Sequence, residues 1–184
     1  MRIIKLTSKN SAAWLDFFDT QAFKDHDEWK GCYCTFFFYP KIKGSVGKTK
    51  REYAQWLIEK GYMQGYVVYE NKKVIGWCNV GDKGAYSRLT DGKSAKEEKV
   101  KSIVCFVIQK EYRRQGIARK IVKRIIQDSK KDGTTSIEAY PSSIAENEYS
   151  HYHGPEQLYK EEGFKEEKEG KGKKVVYRIE SRDV

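Results

Sequence analysis

The chain is 184 residues long and carries 36 lysines and arginines against 26 aspartates and glutamates, a formal net charge of +10. Length and an aromatic content of 14% predict one folded domain over residues 1–184 with a proper core, and exclude a disordered chain. No apolar run of about 18 residues and no long apolar N-terminus is present, so neither a membrane span nor a signal peptide is expected.

Arg2 to Thr7 alternates as an opening strand. Ser11 is expected to cap a helix reaching about Phe23, with Trp14, Leu15, Phe17 and Phe18 as its apolar side. Gly31 to Tyr39, rich in β-forming residues and ended by Pro40, reads as a strand, in which Cys32 and Cys34 share a face. With Cys78, Cys105, His151 and His153 these invite a zinc site, but Cys-x-Cys lacks the spacing of such sites. Buried thiols in a reducing cytoplasm, and no metal, are the expectation.

Gly44-Ser45-Val46-Gly47-Lys48-Thr49 ends like a phosphate loop, yet Ile42 stands where a Walker A loop needs glycine. It reads instead as a flexible lead into a helix over Arg51 to Lys60, with Tyr53, Trp56 and Leu57 inward. Gln64 to Glu70 and Lys73 to Val80 flank Asn71-Lys72 as a hairpin. Gly81 to Glu98 is a long polar connection containing Tyr86 and Arg88. The basic residues are spread along the chain, with no basic tail and no basic–aromatic RNA-reading signature. Neither nucleic acid nor a membrane is therefore an expected partner.

Val100 to Ile108 is a largely buried strand by its β-branched and aromatic content. Past a polar turn the period becomes helical. Ile117, Ile121, Val122, Ile125 and Ile126 recur on one side until Asp132-Gly133 ends the helix. The first amides of a helix lack partners and carry partial positive charge, which suits them to a phosphate. Gly116 and the small Ala118 let a bulky anion approach the backbone, and Arg113, Arg114 and Arg119 add charge and planar donors.

The run Arg113-Arg114-Gln115-Gly116-Ile117-Ala118 resembles the acetyl-CoA signature Arg/Gln-x-x-Gly-x-Gly/Ala of the GNAT acyltransferases, and it follows a strand as that family requires. Gly154-Pro155-Glu156-Gln157-Leu158-Tyr159-Lys160-Glu161-Glu162-Gly163-Phe164 resembles the family's late helix, whose tyrosine precedes a closing Gly-Phe. Ser136 to Pro141 would be the strand between them, and these blocks with the elements they enclose cover about a third of the chain. Ile75-Gly76, the Trp77-Cys78 pair, Cys32-Tyr33-Cys34 and Glu138-Ala139-Tyr140-Pro141 resemble one bacterial branch of the family, without supplying a substrate.

The resemblance implies an α/β fold: a mixed, twisted sheet of about seven strands with helices on both faces. The strand at 100–108 and the one at 136–140 would splay apart, and pantetheine would pair with backbone groups of Phe106, Val107 and Ile108. The turn Arg113, Arg114, Gln115, Gly116, Ile117, Ala118 and Arg119 would take the pyrophosphate. The implied activity is acetyl transfer from acetyl-CoA directly to a primary amine of a small molecule or peptide, by a cytoplasmic monomer or homodimer. The alternative is a non-catalytic acyl-CoA-binding or regulatory module of the same fold.

Tyr159 matches the family tyrosine that donates to the coenzyme A sulfur, although core packing would also explain it. The general base is open. Glu138 is one candidate, because a carboxylate in an apolar strand is costly unless used or paired, but its side chain could equally face solvent. Ordered water is another, while Cys105 is not expected to carry the acyl group. His151 and His153 are either bases or members of a solvated loop over Ser142 to His153. The connection at 81–98 either borders the acceptor site through Tyr86 and Arg88 or is a mobile surface loop. Phe164 to Glu169 and Lys174 to Ile179 form a closing hairpin whose basic turn serves solubility.

Overall fold

Seven strands make one mixed sheet. The computed structural model describes residues 1–38, 47–90, 99–141, 152–169 and 174–180. The strands are β1 (Arg2–Lys5), β2 (Gly65–Glu70), β3 (Lys73–Asp82), β4 (Val100–Ile108), β5 (Ser136–Ala139), β6 (Lys165–Glu169) and β7 (Lys174–Glu180). They lie in the order β1-β2-β3-β4-β5-β7-β6, and every neighbouring pair is antiparallel except β4 and β5. The helices are α1 (Ser11–Thr20), α2 (Lys50–Glu59), the short α3 (Ser87–Thr90), α4 (Ile117–Lys131) and α5 (Glu156–Glu161).

Two apolar layers sandwich the sheet. Trp14, Phe17, Phe38 and Leu57 from α1, α2 and the segment before it pack with Trp77 and Val107, and the Trp14 and Trp77 rings meet edge-on at 5.4 Å. In the other layer the α4 stripe Ile117, Ile121, Val122, Ile125 and Ile126 meets Val68, Ile75 and Ile103. Each such side chain contributes about 1.5–3 kcal/mol on burial. The β2–β3 hairpin turns at Asn71 and Lys72, both left-handed at φ 46° and 68°, as a two-residue turn of the favoured hand requires.

The segment Gly31 to Tyr39 corrects the sequence reading. It is not a strand: Tyr33 and Cys34 take φ of 46° and 49°, and Phe36–Phe38 is a 3-10 turn. Its carbonyls are satisfied by turns and side chains rather than by a ladder: Thr35 N–H donates to Cys32 O and Phe38 N–H to Thr35 O, while Asn79 Nδ2 donates to Cys34 O and the Tyr53 hydroxyl to Phe38 O. Strand-like composition here reflects burial against the sheet face and not membership in it. Tyr39 and Pro40 lie outside the described residues.

Two helix starts also differ. Asn10, not Ser11, precedes α1, and its Oδ1 takes the Thr7 N–H at 2.7 Å instead of capping the helix, which ends at Thr20. At α2 the Gly-Lys-Thr stretch conceals a capping box. Glu52 N–H donates to Thr49 Oγ1, and Thr49 N–H to Glu52 Oε2. The 81–98 connection is partly structured: β3 runs on to Asp82, and 3-10 and α turns follow to Thr90.

The β4–β5 pairing is short and leaves part of β4 unpaired on that side. Four residue pairs run from Val100↔Ser136 to Ile103↔Ala139. Val104–Ile108 then continue beside β3 with no β5 partner. Val104 is the extra residue of a bulge, since Asn79 pairs Cys105 and Val80 pairs Ile103.

Glu138 holds the closed end of this fork. Its carboxylate is fully buried, accepts from Lys83 Nζ at 3.1 Å and from the Tyr140 hydroxyl at 2.6 Å, and pairs with Arg178 of β7. Tyr140 in turn meets Ser102 of β4 at 2.7 Å. Burial alone would raise the Glu138 carboxyl, but Lys83, Tyr140 and Arg178 outweigh it and hold it below its ordinary value. This candidate for the general base is an anion neutralised by the partners that its burial demands.

Glu138→Ala leaves Lys83 and Arg178 facing an empty site. The expected loss is about 3–5 kcal/mol, seen as a fall in Tm of about 10 °C at pH 7. Because the folded carboxyl titrates low, this stabilisation is complete above the unfolded value and disappears as pH falls through the folded one, so the gap between variant and parent should close in acid. A variant as stable as the parent at pH 7 would contradict the role.

Candidate active site

A cleft of about 600 Å³ runs from the open end of β4 to the N-terminus of α4. Phe106, Val107 and Ile108 form one wall, Arg113, Arg114, Gly116, Ile117, Ala118 and Arg119 the floor, and Gly154 to Leu158 part of the opposite wall. These are the expected cofactor residues, gathered in one place, apart from Tyr159, which lies beneath the wall, and Gln115, whose Nε2 donates to Glu111 O at 2.8 Å.

The floor is made of unused amides. Backbone pairing stops at Arg113 N–H to Lys110 O and resumes at Lys120 N–H to Gly116 O, so the amides of residues 115–119 donate to no carbonyl among the described residues. Arg114 and Gly116 are left-handed at φ 59° and 74°, which curls successive N–H groups into an anion-binding concavity at the positive end of α4. A Cβ on Gly116 would meet no atom within 4 Å and would stand in the cleft itself. Glycine is needed here for its φ and for open space above the amides.

The β4 wall is an open strand edge. Gln109 N–H donates to Ile75 O, so strand alternation turns the backbone of Val107 toward β3 and that of Phe106 and Ile108 toward the gap. Ile108 O is taken by Arg113 Nε at 2.9 Å. The Phe106 and Ile108 N–H groups face the gap, and the Phe106 C=O accepts only a long contact from the Cys105 thiol, 3.8 Å away, among the described residues. Val107, expected to offer its backbone, pairs with Trp77 of β3 and lines the cleft.

Arg113 lines the cleft and is also tied to the protein itself. Its Nη1 and Nη2 grip Asp25 at 2.6 and 3.2 Å, and its Nε holds Ile108 O, so it braces the turn against residues 21–25. Gln109 Nε2 adds a second tie to Gln21 Oε1 at 3.0 Å. Burial pushes the Asp25 carboxyl up, but the Arg113 bonds prevail and keep it below its usual range. Arg119 reaches the carboxylates of Glu161 and Glu162 across the cleft.

A second cavity, about 590 Å³, opens on the far side of Phe106 and Val107. Phe23, Trp29 and Tyr152 are shared by both spaces, so the two meet across the middle of β4. Cys32, Cys34 and Cys105 line the second cavity, with the Sγ atoms of Cys34 and Cys105 3.5 Å apart. The bond to Cys105, together with burial, pushes the Cys34 thiol far up, and Cys34 and burial do the same to Cys32. These two are protonated, inert wall groups. All four cysteines are free, and among the described residues no three His, Cys, Asp or Glu side chains are grouped to hold a metal. Sequence reasoning missed this cavity because its walls come from Glu28–Phe37, Lys48–Tyr53 and Arg88, segments whose apolar residues carry no motif.

Tyr159 lines neither space. It is fully buried, its hydroxyl donates to His153 O, and a Cβ on Gly154 would come within 2.9 Å of that oxygen and 3.3 Å of the Phe106 ring. The phenol thus lies just beneath the cleft wall, and burial keeps it protonated. His153 is packed, not solvated. Its ring stacks near Tyr152 at 4.1 Å and Phe37 at 5.7 Å, and burial pushes it down to about 4 despite a bond to the Val104 backbone. His151 lies outside the described residues. Tyr86 is a core residue donating to Asn79 Oδ1 at 2.8 Å, whereas Arg88 reaches the second cavity.

A sheet split after a bulge, an open strand edge and a glycine-led helix start thus border a single cleft. The family model for the GNAT acetyltransferases matches residues 27–164, and the chain belongs to that family. Solved structures agree in fold. An aminoglycoside acetyltransferase from an uncultured soil metagenomic sample is 18% identical, with a TM-score of 0.60 over 90% of this chain and 92% of that one. The loading GNATL domain of CurA from Lyngbya majuscula is 12% identical, with a TM-score of 0.56 over 100% and 98%. A ribosomal-protein-alanine N-acetyltransferase from Brucella melitensis is 12% identical, with a TM-score of 0.55 over 98% and 99%. No curated protein sequence matches the chain.

Gly116→Val tests the amide floor. A β-branched residue at φ 74° is strained by about 1–2 kcal/mol, and its methyls occupy the space above the amides. Titration calorimetry should give a coenzyme A Kd at least about ten-fold weaker than the parent's, with Tm lowered by only a few degrees. Unchanged affinity would remove this turn from the phosphate site.

Proposed function

We propose that the protein transfers an acetyl group from acetyl-CoA directly to a primary amine. One observation carries the reading. The free amides of residues 115–119 and the open backbone of Ile108 and Phe106 form one line of donors, leading from the start of α4 to the point where the two cavities meet. A pyrophosphate followed by an extended amide-bearing arm is the ligand that such a line suits.

In the proposed reaction a neutral amine in the second cavity attacks the thioester carbonyl. The new C–N bond forms, the C–S bond breaks, and the proton released by the amine balances the one delivered to the departing thiolate. The Phe106 N–H faces the developing oxyanion. Tyr159 gives its proton to the sulfur, exchanging its bond to the His153 carbonyl for one to the ligand. Glu28 is the sole carboxylate among the described residues of the second cavity, and it stands exposed at the rim on His26 Nδ1 at 2.9 Å. Removal of the amine proton is accordingly assigned to water. Acetyl-CoA is a cosubstrate here, no metal takes part, and the reading treats residues 1–184 as one catalytic domain working in the cytoplasm.

The second reading, a non-catalytic acyl-CoA-binding module, draws on the same hydroxyl, which is tied to His153. Tyr159→Phe separates the two. Loss of a general acid should lower kcat about 100-fold while the acetyl-CoA Kd stays within about two-fold. Turnover unaltered by the substitution would remove Tyr159 from the chemistry, and an absence of acetylated amine in the parent by mass spectrometry would favour the binding module.

A further inference from the structure

The second cavity carries its own signature. Its walls are aromatic and thiol-bearing, with Phe23, Trp29, Phe37, Tyr53 and Tyr152 around Cys34 and Cys105. Its rim is cationic among the described residues. Lys30, Lys48, Lys50 and Arg88 stand there, with Glu28 the one carboxylate among the described residues. Glu28 is engaged by His26, and Lys30 by Asp27 at 2.5 Å. Lys48, Lys50 and Arg88 form no salt bridge among the described residues. Arg88 is held over the Phe36 ring, 4.0 Å from its centroid, and that ring is itself exposed at the mouth. An arginine fixed by a cation–π contact keeps its donor edge free for a planar or tetrahedral anion.

We infer that the acceptor is a small primary amine with an aromatic or bulky apolar body and an anionic group, carboxylate or phosphate. This rests on the acetyl-transfer reading and deepens it. The apolar body fills the aromatic walls, the amine points to the junction at Phe106 and Val107, and the anion meets Lys48, Lys50 and Arg88. A space of about 590 Å³ suits one ring system with short substituents. Three cations with no paired acid repel a polycation, so polyamines and aminoglycosides are disfavoured by the same charges that favour an anionic amine. Transfer yields the N-acetyl derivative and free coenzyme A thiol.

The test is a matched panel: phenethylamine, phenylalanine, tyramine phosphate, spermidine and an aminoglycoside, each with acetyl-CoA, followed by thiol release and product mass. The parent should acetylate phenylalanine or tyramine phosphate with kcat/KM at least about ten-fold above phenethylamine, and the polycations least. Lys50→Glu combined with Arg88→Glu, both at exposed positions, should abolish or reverse that order, while Lys50→Arg with Arg88→Lys preserves it. Preference for phenethylamine or a polycation, or an order untouched by the charge reversal, overturns the inference and leaves acetyl transfer standing. Should no amine turn over, calorimetry with N-acetylphenylalanine on the coenzyme-A-saturated protein decides the site separately. Binding that the charge reversal weakens at least about ten-fold upholds the anion subsite while acetyl transfer fails. Equal or absent binding in parent and variant refutes the subsite.

Discussion

The pairing of β4 with β5 stops at Ile103 and Ala139, and the rest of the molecule depends on that stop. Were the ladder to continue, the Phe106 and Ile108 backbone would be consumed by β5 and no ligand could lie between the strands. Two devices end it. The Val104 bulge adds a residue to β4 and rotates the strand beyond it. Below the bulge, Glu138 draws Lys83, Tyr140 and Arg178 into one buried knot that fixes the closed end while Tyr140 and Ser102 tie β5 to β4. An unpaired strand edge is a liability in most proteins. Here it is short, enclosed by the α5 side of the cleft, and aligned with the free amides of α4.

The brace around Arg113 joins this edge to the other cavity. Asp25 and Gln21 precede Trp29 closely in sequence, and their bonds to Arg113 and Gln109 hold the segment carrying Phe23 and Trp29 against the turn that leads into α4. The two cavities therefore share walls as well as a junction. Bidentate pairing with the half-buried Asp25 serves position more than net stability, since the partners must be desolvated to meet.

Local chemistry was legible in the sequence. The switch from strand to helical period after Ile108, the Gly116 turn, the Asn71-Lys72 hairpin and the late helix at 156–161 each rest on residues within one or two turns of each other. What escaped depends on distant partners. Glu138 reads as an apolar strand's lone carboxylate, and only the fold brings Lys83 and Arg178 to it. Arg113 reads as a phosphate ligand, and its pairing with Asp25 is not visible in the sequence. Gly31 to Tyr39 has the composition of a strand because it is buried on a sheet, a distinction that composition does not encode. The second cavity left no motif at all, since apolar walls and scattered lysines look like any core and any surface.

The central claim is that the split edge and the amide floor together seat acetyl-CoA. Thermal unfolding of the parent protein with and without the cosubstrate tests it most directly. At about 100 times its Kd a ligand adds about 2.7 kcal/mol, which for a domain of this size raises Tm by about 5–10 °C. A rise of that order, saturating with acetyl-CoA concentration and smaller for adenosine alone, is the predicted result. No shift at millimolar acetyl-CoA would contradict the account.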